Sequence, residues 1–175
     1  MMGLMGANGA GKSTLMSYIM REDAKYTGTI KMAGQDIREN HAYLRNHIGF
    51  VSEDNGFFES LSPMDNVNLM ARFYENFDKE LFQATMKEMG GSLSTMYYKL
   101  SRGEKLKFQM AFAMAHHPKL YLLDEVTVGM DPVFRLDFFK ILHKVIETGE
   151  TSILMTSHIE SEMKQRTDFL GIMDE

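Results

Sequence analysis

One turn constrains this chain more than any other segment. Residues 6–13 read Gly-Ala-Asn-Gly-Ala-Gly-Lys-Ser, a glycine, four residues, then Gly-Lys-Ser. The turn stands between an apolar stretch at residues 1–5, fit for a buried strand, and an apolar-rich segment at residues 12–20, suited to a helix. A strand, a glycine-rich turn and a helix in that order form a phosphate-binding loop. The glycines let backbone N–H groups curl around the β- and γ-phosphates of a nucleotide, and the helix N-terminus adds its positive dipole. In such a loop Lys12 reaches the terminal phosphates and the Ser13 hydroxyl ligates Mg²⁺. The candidate nucleotide-binding residues are therefore Gly6, Ala7, Asn8, Gly9, Ala10, Gly11, Lys12, Ser13 and Thr14.

Composition excludes several other classes. The 175 residues suit one domain, with an inserted lobe at most, at about 150 residues per domain. With 44% hydrophobic and 25% charged residues, the chain is long enough to bury a sizeable core. No stretch approaches the about 18 consecutive apolar residues of a membrane span, and the apolar-rich segment at residues 108–115 is interrupted by Gln109. The first five residues are too short for the apolar part of a signal peptide, so the expected location is cytoplasmic. The absence of cysteine excludes disulfides, cysteine zinc sites and iron–sulfur clusters. A net charge of -5 offers no broad footprint for nucleic acid, so an anionic ligand must be bound locally. The 17 methionines are scattered at no ligand spacing and read as core filling. His116 and His117, adjacent at a helix end, point in different directions; with His41, His47 and His143 they read as structural or solvated.

The rest of the chain alternates helix and strand. Residues 27–37 carry β-branched residues around a turn at Ala33-Gly34, and residues 48–52 read as a strand. Ser62, Pro63 and Asp65 mark a helix start, with the helix expected over residues 63–74. A second helix is expected over residues 78–89, stopped by Gly90-Gly91, and a third from Gly103 to a stop at Pro118. Residues 120–123 form a buried strand, followed by a helix over 135–148, a strand over 152–156, a helix over 160–166 and a strand over 169–173. This is an α/β pattern.

The strand at residues 120–123 ends in Asp124-Glu125, the second element a nucleotide hydrolase needs. Asp124 holds Mg²⁺ through its water in such a site, and Glu125 orients and polarises the attacking water. Further pieces stand in order: Leu100-Ser101-Arg102-Gly103-Glu104 lies 24 residues before Asp124, Gly129-Met130-Asp131-Pro132 follows the acidic pair, and Ser157-His158 ends a later strand. With these the chain resembles the nucleotide-binding domain of the ABC ATPases along essentially its whole length, and most of all bacterial subunits of exporter-like systems.

The resemblance implies a P-loop NTPase core of the RecA-like kind, with a mostly parallel sheet and an inserted α-helical subdomain. The core is expected at residues 1–53 and 108–175, and the subdomain at 54–107, ending in the signature loop. Residues 100–104 look like that signature loop, residues 129–132 like the D-loop, His158 like the switch histidine and Glu53 like the Q-loop residue. Catalysis would rest on Glu125, His158 and Glu53, and Mg²⁺ on Ser13, Asp124 and Glu53. Ser101, Gly103 and Asp131 would complete the nucleotide site of a second ATP-binding subunit in a head-to-tail pair. The chain departs from the family at Arg102 (usually glycine), Glu104 (glutamine), Val126 (proline), Met130 (leucine) and Glu53 (glutamine). It starts five residues before Gly6, so it reads as trimmed at both ends, lacking the upstream aromatic that stacks on adenine and leaving Tyr18 or Tyr26 as substitutes.

The implied function is ATP binding and hydrolysis, driving a separate transmembrane permease subunit from the inner face of the cell membrane. Phe57-Phe58 would line an apolar groove for a short helix of that membrane partner, or else be buried in the helical lobe. The alternatives are a soluble ABC-type ATPase acting on nucleic acid or the ribosome, or a non-hydrolysing member of a heterodimer. The first normally brings paired domains in one chain, a coiled-coil insertion or cysteine modules, none of which occurs here, so nucleic acid is not an expected partner.

Overall fold

The computed structural model describes residues 1–21, 23–53, 56–147 and 149–174. Its centre is a five-stranded sheet of β1 (Met2–Gly6), β4 (Ile48–Ser52), β5 (Leu120–Asp124), β6 (Ser152–Thr156) and β7 (Phe169–Met173) in the order β4-β5-β6-β1-β7. Every pairing in it is parallel. A parallel sheet needs crossovers over its faces, and its inner strands read as continuous apolar runs. Residues 121–123 of β5 are all buried, as the run Tyr-Leu-Leu requires.

Register decides where the chemistry collects. Ser52, Asp124 and Thr156 are in line across β4, β5 and β6, and Thr156 is in turn in line with Leu4 of β1. All four strands therefore end on the same edge, where open α/β sheets bind ligands. The P-loop, Glu53, Glu125 and His158 are delivered there by the first residues beyond β1, β4, β5 and β6.

The crossover helices are α1 (Lys12–Met20), α2 (His41–Asn46), α6 (Pro132–Ile146) and α7 (Glu160–Arg166). Between α1 and α2, β2 (Lys31–Met32) and β3 (Gln35–Asp36) form the hairpin turning at Ala33 and Gly34, both at positive φ. A lobe of α3 (Pro63–Met70), α4 (Lys79–Glu88) and the start of α5 (Arg102–Ala115) stands between β4 and β5. Its helix starts are capped by side chains: Ser62 accepts from the Asp65 N–H, Asp78 from the Leu81 N–H, and Ser101 with Glu104 forms a reciprocal capping box. Those hydrogen bonds hold the Glu104 carboxyl below its usual pKa.

Three expectations shift. The helix expected over 63–74 leaves the α form at Met70 and tightens into a 3₁₀ turn at Ala71–Phe73 before an extended Tyr74. The helix expected from residue 135 starts earlier, at Pro132, because the Asp131 carboxylate accepts from the N–H groups of Val133 and Phe134. α2 was not foreseen: it is six residues long and has no capping side chain to announce it.

One core layer lies against α5 and α6, with Val51, Met110, Leu123, Phe138, Leu142 and Met155. A second, of Met16, Ile19, Ile48 and Leu122, lies under α1. The lobe has its own, mostly aromatic, centre of Phe82, Tyr97, Phe108 and Phe112. Met16, Met86, Met110, Met155 and Met163 are buried, the filling role expected of them. His116 is buried too, stacked 4.4 Å from Tyr74 with Nδ1 3.2 Å from the Asn46 carbonyl, and burial pushes its pKa down to about 4.

Candidate functional site

At the strand-end edge the P-loop backbone takes a shape that glycine permits. Gly9 and Gly11 have φ of 91° and 97°, the left-handed region that side chains disfavour, and Gly11 is the residue from which α1 starts. Lys12, only 5% exposed, folds back along the loop. Its ammonium donates to the carbonyls of Gly6 (2.8 Å) and Ala7 (3.0 Å) and lies 3.7 Å from Glu125 Oε1. The other oxygen of Glu125 is 3.0 Å from His158 Nδ1. An ionised carboxylate only accepts, so Nδ1 is the donor.

Glu125 owes its direction to its backbone. Its φ is 51°, in the left-handed region at a cost of about 1–2 kcal/mol for a residue with a side chain. Its N–H is fixed by donating to Thr156 Oγ1 at 3.0 Å, and the same hydroxyl donates to Asp124 Oδ1 at 2.6 Å. One buried threonine thus orders both acids of the pair.

These groups surround a cavity of about 420 Å³ lined by Asn8, Gly9, Gly11, Lys12, Ser13, Thr14, Glu53, Glu125, Val128, His158 and Arg102. Gly6 and Ala7 stand just behind it as the acceptors for Lys12, and Asp124 behind Glu125. Ser101, Gly103 and Asp131 line an adjoining cavity of about 520 Å³, which shares Glu53, Arg102, Glu125 and Val128 with the first. In that position Asp131 caps α6 and Ser101 caps α5. Tyr18 and Tyr26 are not in the lining of the P-loop cavity; they stack on each other at 5.9 Å, with the Arg38 guanidinium over Tyr26.

Of the three residues expected at the divalent ion, Ser13 and Glu53 line the P-loop cavity, while Asp124 is hydrogen-bonded to Thr156 and lies outside the lining. Among the described residues there is no group of three or more His, Cys, Asp or Glu that could hold a metal ion. Hydroxyl and carboxylate oxygens are donors of the kind that Mg²⁺ takes.

The family model for the ABC transporter matches residues 1–128. The chain belongs to the ABC transporter family. Relatives within that family include the bacitracin transport ATP-binding protein BcrA of Enterococcus faecalis, 30% identical over 175 residues, and the ABC transporter ATP-binding protein YtrB of Bacillus subtilis, 29% identical over 173. Each match takes in 99% of this chain but 57% and 59% of the relative, so the chain spans under two thirds of their length. Among solved structures, an ATP-binding subunit of an ABC transporter superposes with a TM-score of 0.84 at 23% identity, covering 98% of this chain and 73% of that one. A dimeric ATP-binding cassette in a post-hydrolysis state with ADP and Pi gives 0.85 at 19%, covering 99% and 80%. The fold is the P-loop NTPase core of that family.

Sequence reading missed the residues that hold this ABC site from behind. Besides Thr156, the Arg135 guanidinium donates to the carbonyls of Met130 (2.9 Å) and Thr127 (3.3 Å), and the buried Glu162 lies 3.7 Å from it. Glu162 also accepts from the Thr127 hydroxyl at 2.7 Å, tying α7, which follows His158, to the segment after Glu125. On the other side the buried Gln109 side chain accepts from the Ser52 N–H at 3.1 Å, anchoring the residue before Glu53 to α5. Counting parallel register back from the acid and threonine at the ends of β5 and β6 would have found Thr156; the others leave no mark in local pattern. Phe57 is partly buried against the lobe core, 4.6 Å from Phe108 and 5.1 Å from Phe112, while Phe58 is 49% exposed.

Proposed function

We propose that the chain binds ATP with Mg²⁺ and hydrolyses it as the ATP-binding subunit of an ABC transporter. One observation carries the reading: the Glu125 carboxylate has the P-loop lysine 3.7 Å from one oxygen and His158 3.0 Å from the other, and all three line the P-loop cavity. A fortuitous glycine turn has no reason to meet an acid 113 residues away that is itself held by a histidine.

The roles follow from position. The loop amides from Asn8 to Lys12 and the start of α1 receive the phosphates, and Lys12 exchanges its own loop carbonyls for phosphate oxygens. Ser13, with Asp124 and Glu53, would hold Mg²⁺, which would supply charge neutralisation at the terminal phosphates. Glu125 orients the attacking water, an interaction realised in the transition state, and His158 keeps that carboxylate aimed. Ser101, Gly103 and Asp131, on the adjoining cavity, serve the nucleotide of a second ATP-binding subunit, so that binding and closure are coupled. The name of BcrA ties it to bacitracin transport, and that of YtrB to an ABC transporter; by analogy this chain drives a separate permease.

Among the described residues no helix is long and apolar enough to cross a membrane. Attachment is proposed to be peripheral, on the inner face of the cell membrane. The exposed Phe58, Met96 and Tyr98 supply an apolar patch for a permease segment; Tyr98 N–H donates to the Glu59 carbonyl, so the two stretches are neighbours.

Titrating MgATP against wild type and Lys12→Ala tests the reading. The variant should bind at least about tenfold more weakly, the scale of one lost charge-assisted contact. An unchanged dissociation constant would remove the P-loop assignment.

A further inference from the structure

Thr127, Arg135 and Glu162 form a polar cluster behind the site, and the roles assigned above leave it without a task. Thr127 and Glu162 are both buried. The Thr127 hydroxyl donates to Glu162 Oε2 at 2.7 Å, while Glu162 Oε1 lies 3.7 Å from the Arg135 Nε, too far for a hydrogen bond. That Nε is buried and has no hydrogen-bond partner among the described residues. The Nη2 of the same guanidinium donates instead to the Met130 and Thr127 carbonyls. Apolar side chains of similar volume are often at least as stabilising as a buried ion pair. Stability alone therefore does not call for this cluster, whereas the geometry it imposes does.

Its place in the chain shows which geometry. Thr127 is two residues beyond Glu125 and Glu162 four beyond His158, so the cluster joins the two segments that meet at the Glu125–His158 contact. On the strand side of that contact, Thr156 holds the Glu125 N–H and the Asp124 carboxylate. On the other side, Glu162 holds Thr127. The contact itself is near the surface, with His158 49% and Glu125 27% exposed, and such a pair has little strength of its own. Its geometry must come from the backbone that carries each partner. Thr156 serves the acid, and α7 follows directly on the histidine. That helix has seven residues and no capping side chain, too short to hold its place unaided. Met163 buries one side of it in the core, but apolar packing is non-directional. Glu162 adds the directional contact.

We propose that Thr127, Arg135 and Glu162 are positioning residues for hydrolysis, fixing α7 to the segment after Glu125 so that His158 meets the Glu125 carboxylate. The proposal rests on the hydrolytic reading above. None of the three lines the P-loop cavity or its neighbour, so they act through the Glu125–His158 pair and not on the ligand. Without the Thr127 hydroxyl, Glu162 keeps only its longer contact with Arg135, and α7 is free to carry His158 away. A misplacement of about 1 Å in a reacting site can reduce a rate by on the order of a hundredfold.

The test is MgATP binding and steady-state hydrolysis by the full chain in Thr127→Val, Thr127→Ser and the double variant Arg135→Met with Glu162→Met, with urea midpoints measured on the same preparations. Thr127→Val keeps the shape of the side chain and loses the hydroxyl. Its kcat should fall by about tenfold or more, with the dissociation constant within about twofold of wild type. Thr127→Ser keeps the hydroxyl and loses a methyl group, so its kcat should stay within about twofold of wild type although its urea midpoint falls. The double variant should unfold at or above the wild-type midpoint and still lose about tenfold or more in kcat. If it does not fold, the two threonine variants decide. Wild-type kcat in Thr127→Val, equal losses in Thr127→Val and Thr127→Ser, or a kcat that follows the urea midpoint across the set would overturn the proposal. Glu125→Gln, run alongside, should lose turnover. If wild type does not hydrolyse MgATP, or Glu125→Gln matches it, the hydrolytic reading itself has failed and this proposal with it.

Discussion

Helix α5 belongs to two regions that keep their shape by different means. Its first turn, from Arg102 to Lys105, borders the cavities, where side chains are ordered by polar partners far away in sequence: Lys12 with Glu125, Asp124 with Thr156, Arg102 with Glu53. One turn further on, the same helix inserts Phe108 and Phe112 into the lobe, where ring meets ring. Phe108 alone has Phe57, Tyr97, Phe82 and Phe112 at 4.6 to 6.1 Å. Burial of apolar rings is non-directional and its free energy goes into stability. The polar pairs run from the buried Lys12 and Thr156 to the exposed Arg102 and Glu53; the exposed pair contributes little to stability, and all of them fix atoms in place for a charged ligand. Substitutions in the lobe should therefore change folding, and substitutions at the cavity should change ligand handling.

The largest effect on stability belongs to the lobe. Phe108→Ala should lower the unfolding free energy by about 3–5 kcal/mol, read from urea denaturation. Phe108→Leu, costing about 1 kcal/mol, covers the case in which the first variant does not fold. In either variant the MgATP dissociation constant should stay within about twofold of wild type under native conditions. If affinity falls as far as stability does, the two regions are not separable.

A smaller effect sharpens the same contrast through pH. Burial lowers the pKa of His116 in the folded chain from 6.5 to about 4. Above pH 6.5 the ring is neutral in both states. As pH falls from there towards 4, the unfolded chain takes up a proton that folded His116 refuses, and stability is lost, up to a total on the order of 3 kcal/mol. Comparing urea midpoints at pH 7 and pH 5, His116→Phe should lose about 2 kcal/mol less than wild type. Equal losses in the two proteins would place the acid sensitivity elsewhere.

How much of this was legible in the sequence follows the same division. Local signals carried far: the P-loop, the cap at Ser62, the hairpin glycine and the acid-ended strand each specify structure within a few residues. Six-residue α2, uncapped by any side chain, gave no such signal, and no glycine or proline marks the end of α3 at Met70. In the site, residue types and order were legible but their partners were not. Arg135 and Glu162 meet across 27 residues, and Gln109 and Ser52 across 57, through a fold that must exist before the contact does. The aim of Glu125 was equally invisible, since it depends on a left-handed backbone held by Thr156 from a neighbouring strand.

Lys12, Glu125 and His158, in contact through the Glu125 carboxylate, are proposed as hydrolytic machinery. Glu125→Gln tests it most directly, because the amide keeps the size of the side chain and removes the charge. Binding and turnover of MgATP should be measured on the same preparation, wild type beside variant. The dissociation constant should stay within about threefold of wild type and turnover should fall by at least about a hundredfold, the scale of a lost general base. Wild-type turnover in the variant would contradict it.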